Sequence, residues 1–220
     1  MSLAFMSVSA GADGPVARSP MEVPARAAGA RFEIRDGWNV AVEYPSRLAA
    51  DAGRVGWADV SHLRKQELQA SAAELDATGK LRFGEAIRDG DAWWCRLTST
   101  RALVIGGAEA LPGALDVTST FAALTLVGPL ARETFARFCA LDLRPAVTPV
   151  RALRPGSIGR QPGILIREDE ERYLFLFGWA TGEYMWSVVA DAAGHLGGGP
   201  IGADALAALD PAGLEEAASA

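Results

Sequence analysis

Apolar positions along this chain alternate more often than they recur at helical spacing. "RFEIRDGWNVAVEY", residues 31–44, reads as two strands joined at Asp36-Gly37, with Val40, Val42 and Tyr44 alternating against Ala41 and Glu43. "RVGWADV" and "RKQELQA" are two further extended segments hinged at "SHL". "DAWWCRLTSTRALVIG" predicts a hairpin, its apolar runs 92–97 and 101–105 flanking the polar turn "TST". "STFAALTLVG" predicts another strand. "GILIRED" and "ERYLFLFGWA" predict a second hairpin, with "EDEE" as its solvated tip.

Helical patterns are fewer. "SRLAADAG" predicts a short helical piece after Pro45. In "SAAELDATG", Ser71 stands as N-cap, Glu74 three residues on, and Gly79 just past the end, which is a capping box. Gly128-Pro129 opens a predicted helix over 129–140 with Leu130, Thr134, Phe138 and Leu141 on one stripe. Thr181 is predicted to cap "TGEYMWSVVADAAGHLG", in which Tyr184, Val188 and Ala192 align. "IGADALAAL" is a short terminal helix. Strands in runs with helices interspersed predict an α+β fold, mainly antiparallel, with two to three packed helices. Segments 121–127, 163–167 and 172–178 are expected to share one sheet beneath helices 129–140 and 182–193. Residues 1–24 carry Gly and Pro without periodicity and are expected to form a flexible tail, with a single domain over 25–210 and a second tail over 211–220.

Composition narrows the function classes. The 220 residues carry a formal net charge of −6, and Lys occurs only at Lys65 and Lys80, so no basic run points to nucleic acid or an anionic membrane. No window approaches the ~20 apolar residues of a membrane span, and no basic stretch precedes the apolar "MSLAFMSVSA" as a secretory signal requires. A cytoplasmic protein is expected. Cys95 and Cys139 make no disulfide framework and read as small buried hydrophobes. Two His and two Cys far apart give no metal spacing.

Candidate chemistry starts at Asp59-Val60-Ser61-His62. Adjacent residues of an extended chain point to opposite sides, so Ser61 and His62 are poorly placed as nucleophile and base. No Gly-x-Ser-x-Gly accompanies them. The run reads as a turn in which Asp59 and Ser61 cap backbone groups. Trp93 and Trp94 are likewise adjacent, so one must face away from whatever the other packs on; it is covered by a helix or marks a partner surface. Trp179 and Trp186 are further candidates for an apolar interface.

Several of these segments also occur in a fixed order that resembles a known family. Ser19-Pro20-Met21, Gly29-Ala30-Arg31, Gly37-Trp38 with Tyr44, and Asp59-Val60-Ser61-His62 stand in the order found at the start of the glycine cleavage system aminomethyltransferase (T protein). "LTLVGPLARETFARFCALDL" resembles that family's strand, Gly-Pro and helix unit, and "PIGADALAAL" the segment closing its folate-binding domain. "AWWCRLTSTRALVIG" and "GPLARETFARFCALDLRP" resemble more closely another branch, the gamma subunit of heterotetrameric sarcosine oxidase. The resemblance implies a folate-binding aminomethyltransferase-like domain lacking the carboxy-terminal barrel. It places tetrahydrofolate as the cofactor to consider, with Trp38, Val40, Tyr44, Arg167 and Tyr173 as binding residues and Asp91 as the catalytic candidate.

The chain departs from the family at three ligand-facing places. A Gly-Gly-x-x-Asp-Asp stretch is replaced by "AIRDGDAWWC", where Asp89 and Asp91 flank Gly90 as a tight turn would. An Arg-Thr-Gly-Tyr-Thr-Gly-Glu stretch is replaced by "IREDEERYLFLF", and a Met-Pro by Val40-Ala41. The expectation is therefore a non-catalytic, gamma-type subunit of one-carbon metabolism, glycine or sarcosine, docked on a larger flavoprotein or self-associating. The alternatives are a shortened tetrahydrofolate-dependent aminomethyltransferase and a free-standing folate-binding regulatory protein.

Overall fold

The chain enters through β1 (Ala17–Arg18), α1 (Glu22–Ala27), β2 (Arg31–Arg35) and β3 (Trp38–Glu43) in the computed structural model, which describes residues 15–45 and 54–209. β4 (Gly56–Asp59), β5 (Lys65–Gln69) and α2 (Ala72–Ala77) follow, then β6 (Ala86–Asp89), β7 (Ala92–Arg96), β8 (Arg101–Gly106) and β9 (Leu115–Asp116). The second half holds β10 (Phe121–Val127), α3 (Ala131–Ala136), β11 (Leu153–Ile158), β12 (Gln161–Asp169) and β13 (Arg172–Gly178). It ends with α4 (Gly182–Gly194), β14 (Gly199–Pro200) and α5 (Ala203–Ala208). The fold is α+β, and the strand pairs are antiparallel except β1 with β3 and β14 with β4.

Three sheets result, ordered β1-β3-β2, β11-β12-β13-β10-β4-β14 and β6-β7-β8-β5-β9. The Asp36-Gly37 turn has φ of 48° and 77°, the left-handed geometry that a two-residue hairpin needs. The expected sheet partners β10, β13 and β12 are neighbours, with Leu124 opposite Phe175 and Phe175 opposite Leu165. Both faces of this sheet are covered. Tyr173, Phe175 and Phe177 pack toward α3 and α4, while Leu174 and Leu176 pack toward the five-stranded sheet. Burial on both faces is why "YLFLF" reads as a continuous apolar run.

Several elements differ from the sequence expectation. α3 is shorter than 129–140, and its fully buried residues are Ala131, Thr134 and Phe135; Phe138 lies half-buried past its end. The edge of β11 claims the chain there, since Ala140 N–H donates to Ser157 O and Gly159 N–H to Phe138 O. α4 buries Met185, Trp186, Val189, Ala193 and the expected Ala192, leaving Tyr184 exposed and Val188 half-buried. A Cβ on its first residue, Gly182, would lie 2.7 Å from Pro20, so a tertiary contact sets the rotation of this helix. Thr181 does not cap it; its hydroxyl donates to Gly178 O. β11 carries Pro155 and Gly156, which hide an edge strand from pattern reading. α1 holds Pro24 in its first turn, where proline is tolerated.

Residues 15–24, expected as part of a tail, are built into the fold, with Met21 fully buried. Segments 1–14, 46–53 and 210–220, which include the expected helix in "SRLAADAG" and the second tail, lie outside the described residues. Five helices are present among the described residues, four of them six residues long. No described helix is long and apolar enough to cross a membrane.

Candidate functional site

Asp59-Val60-Ser61-His62 lies where the chain crosses from β4, in the six-stranded sheet, to β5, in the five-stranded one. Asp59 Oδ1 accepts from Ser61 N–H at 2.9 Å. Ser61 Oγ accepts from Ala123 N–H at 3.1 Å and donates to Ala123 O, tying the turn to β10. Lys65 is fully buried, and its ammonium donates to Ser61 O at 2.8 Å and Leu63 O at 2.9 Å. Burial pulls the Lys65 ammonium down to about 8 against the pull of Asp59 and Asp116. Burial pulls His62 down to about 4, helped by the charges of Lys65 and Arg35. Burial pushes the Asp59 carboxyl up, and hydrogen bonds from Ser19 and Ser61 oppose it. Ser61 Oγ is thus committed to backbone, and His62 is held neutral at pH 7. The cluster stitches two sheets together and presents no activated nucleophile.

The residues implied by the folate resemblance fall in separate places. Trp38 and Val40 join Val42 on one side of β3, with Trp179 edge-on to Trp38 at 5.8 Å. Tyr44 belongs to the helix-covered core, 6.4 Å from Trp186, where burial pushes its phenol up. Arg167 and Tyr173 are cross-strand partners, with the Arg167 guanidinium 5.7 Å from the Tyr173 ring centre. Arg167 donates to Thr148 O, Glu170 O and Asp169 O, so its charge fastens the hairpin tip and the loop before β11. Asp91 sits at the β6–β7 turn with its side chain 96% exposed, 3.9 Å from Arg88. Asp89 pairs with Lys80, and Gly90 between the two acids has φ of 55°. Of the six residues, Trp38 packs in one cluster with Val40 and Arg167 pairs with Tyr173, and the arrangement does not converge on one pterin.

The seam between the two large sheets holds polar residues that the sequence did not single out. Trp93 Nε1 on β7 donates to Glu168 Oε1 on β12 at 2.8 Å. Arg172 Nε donates to the other oxygen at 3.0 Å, and the Arg88 guanidinium lies 5.1 Å from the Trp93 ring centre. Glu168 was expected at a solvated tip with the rest of "EDEE", but its side chain is only 10% exposed. A nearly buried carboxylate is stable there because an indole and a guanidinium both donate to it. Both carboxylate oxygens are engaged, so the seam offers no free acid or base. Trp94, on the other face of β7, lies under the Lys80 ammonium and packs with Leu75 of α2 and Leu81. Trp186 is buried and Trp179 partly so, which leaves none of the four candidate tryptophans as an open interface.

Among the described residues no three His, Cys, Asp or Glu are grouped to hold a metal ion. Cys95 and Cys139 are free, and burial pushes both thiols up. Glu168 was missed in the sequence because its indole partner lies on another strand, and Lys65 because only the packing of the fold buries it over carbonyls of its own turn. The available signals were the scarcity of Lys and the position of Lys65 just past the crossing turn.

No protein-family model matches the chain, and no curated protein matches it. Solved structures do. A chain of the heterotetrameric sarcosine oxidase from Corynebacterium sp. U-96, in complex with pyrrole 2-carboxylate, superposes with a TM-score of 0.62 at 22% identity, over 82% of this chain and 96% of that one. The glycine cleavage system aminomethyltransferase T from Bartonella henselae superposes with a TM-score of 0.66 at 16% identity, over 86% of this chain and 60% of that one. This chain therefore spans less than two thirds of that enzyme's length. The fold is the aminomethyltransferase-like domain fold that both structures share. Both proteins named in the sequence resemblance, sarcosine oxidase and the aminomethyltransferase, are thus matched in fold.

Proposed function

We propose that this chain is a non-catalytic, gamma-type subunit of a one-carbon, amine-oxidising complex, docked on a larger flavoprotein. The observation that carries the non-catalytic part is the Trp93–Glu168–Arg172 cluster, which fills the seam with the chain's own side chains. Asp91 in solvent and Arg167 bound to carbonyls point the same way. Coverage of 96% of the sarcosine oxidase chain supports the subunit comparison over the longer aminomethyltransferase.

The docking part rests on the surface around Phe83. Phe83 is 66% exposed, and the buried Arg96 guanidinium lies 5.1 Å from its ring centre. Arg154 donates to both Gly84 O and Val147 O, which ties the loop of exposed Val147 to the residue after Phe83. An exposed aromatic ring with a guanidinium against it suits a protein interface. Calorimetric titration with tetrahydrofolate separates this function from a shortened aminomethyltransferase. The expected result is no saturable binding tighter than ~10 μM. Tighter binding, lost in Tyr173→Phe or Arg167→Ala, contradicts it.

A further inference from the structure

We propose that the turn end of the β11–β12 hairpin, on the face that carries Ile164 and Leu176, is a binding site for a small, flat, apolar carboxylate. A cleft of about 770 Å³ opens there, within the roughly 300–1,000 Å³ usual for small-molecule sites. Its floor is apolar, formed by Phe121, Pro155, Pro162, Ile164 and Leu176. The register explains the hollow. Pro155 pairs with Ile164, and Ile164 with Leu176, so these side chains share one face of the sheet. Ser157 pairs with Pro162, and Phe121 with Gly178. Gly178, opposite Phe121, thus lacks a side chain where the row of Leu174 and Leu176 would continue, and nothing lies within 4 Å of a Cβ built on it.

One end of the cleft is polar. Ser157, Arg160 and Gln161 line it, and none of their side chains has a hydrogen-bond or ion-pair partner among the described residues. Arg160 is its only charged lining residue. Arg160 occupies the hairpin turn at φ of 61°, a left-handed geometry that a side chain adopts only when neighbours hold it. Three hydrogen bonds hold it: the Tyr184 hydroxyl donates to Gly159 O at 3.0 Å, Gly159 N–H donates to Phe138 O, and Ala140 N–H donates to Ser157 O. The turn is anchored from α4 and from the segment after α3 before any ligand arrives. A guanidinium, a hydroxyl and an amide beside an apolar floor fit a carboxylate on a flat apolar body. A pterin does not fit as well, because its polar ring edges would meet a floor without donors or acceptors. The site shares no residue with the Trp93–Glu168 seam and is independent of the proposed docking role.

The test is calorimetric titration of the full chain with naphthoate, an apolar aromatic acid, and with naphthamide, its neutral counterpart. The expected result is saturable one-site binding of naphthoate, with naphthamide weaker by about tenfold or more. Gly178→Leu sets a side chain beside Phe121 at the edge of the cleft and should weaken binding of both compounds. Arg160→Ala, at an exposed side chain, should weaken naphthoate about tenfold and leave naphthamide unchanged. Thermal unfolding checks that both variants keep the fold, and Arg160→Ala stands alone if Gly178→Leu does not. No saturation at millimolar naphthoate, equal affinity for acid and amide, or indifference to Arg160→Ala overturns the site.

Discussion

The indole nitrogen of Trp93 donates to Glu168 across 75 residues of sequence and across the seam between two sheets. That hydrogen bond joins the half of the chain built around β7 to the half built around β12, in a place closed to solvent. Removing one partner leaves the other buried. Trp93→Phe keeps most of the ring and deletes one donor, so a loss of about 1–3 kcal/mol is expected in urea unfolding. Glu168→Ala leaves Arg172 without its carboxylate and should cost about 3–5 kcal/mol. Losses within ~0.5 kcal/mol for both, the ordinary range for surface changes, would contradict a closed seam.

The crossing turn carries its own pH signature. Lys65 is pulled from 10.5 to about 8 in the folded chain. Between these values the unfolded chain holds more protons, so this residue makes stability rise with pH across that window. Lys65→Met removes the slope. It also strands Ser61 O and Leu63 O, at a cost of about 1–3 kcal/mol. Urea midpoints measured on either side of pH 8 check both effects. A wild-type chain that gains nothing over Lys65→Met on going from pH 8 to 10 would overturn the buried-ammonium account.

His62 acts at the other end of the scale. Its imidazole is pulled from 6.5 to about 4 by burial. Below pH 6.5 the unfolded chain takes up a proton that the folded chain refuses, so stability from this residue falls as pH drops toward 4. His62→Gln should flatten that decline, as read by thermal midpoints at pH 7 and pH 5. An unchanged decline would show that His62 is not the group responsible.

Core position on α3 is a sharper test of packing. Phe135 is fully buried against Phe175 at 4.9 Å, and Phe138 lies half-buried, edge-on to it. Phe135→Ala should cost about 3–5 kcal/mol. Phe138→Ala should cost less, because part of its surface already meets water. The reverse order in urea unfolding would mean that the helix stripe read from sequence spacing is the true one.

Local chemistry was legible in the sequence, and distant pairing was not. The Asp36-Gly37 turn and the Ser71–Glu74 capping box, which forms with Glu74 Oε2 accepting from Ser71 N–H at 2.9 Å, depend on residues a few positions apart. The sheet of β10, β12 and β13 was legible because its strands are apolar on both faces. The stripe of α4 was offset by one residue because Pro20, far away in sequence, sets where the helix lies. Adjacency in Trp93-Trp94 correctly placed the two rings on opposite faces of β7, but only the fold shows that both are covered by the chain itself. Glu168 looked solvated because its partners, Trp93 and Arg172, cannot be inferred from an acidic run. The resemblance implied one pocket for Asp91, Arg167 and Tyr173; the structure pairs Arg167 with Tyr173 within one hairpin and leaves the Asp91 side chain in solvent at the β6–β7 turn, since register within one hairpin is local and the approach of separate sheets is not.

The most direct test of the subunit proposal is the composition of the native assembly. The chain, tagged in its own cell, should purify in a stoichiometric complex with a larger protein that carries flavin absorbance. Phe83→Asp should release that partner while leaving the chain folded. A tagged chain that emerges as a flavin-free monomer, or a complex that Phe83→Asp leaves intact, would contradict the account.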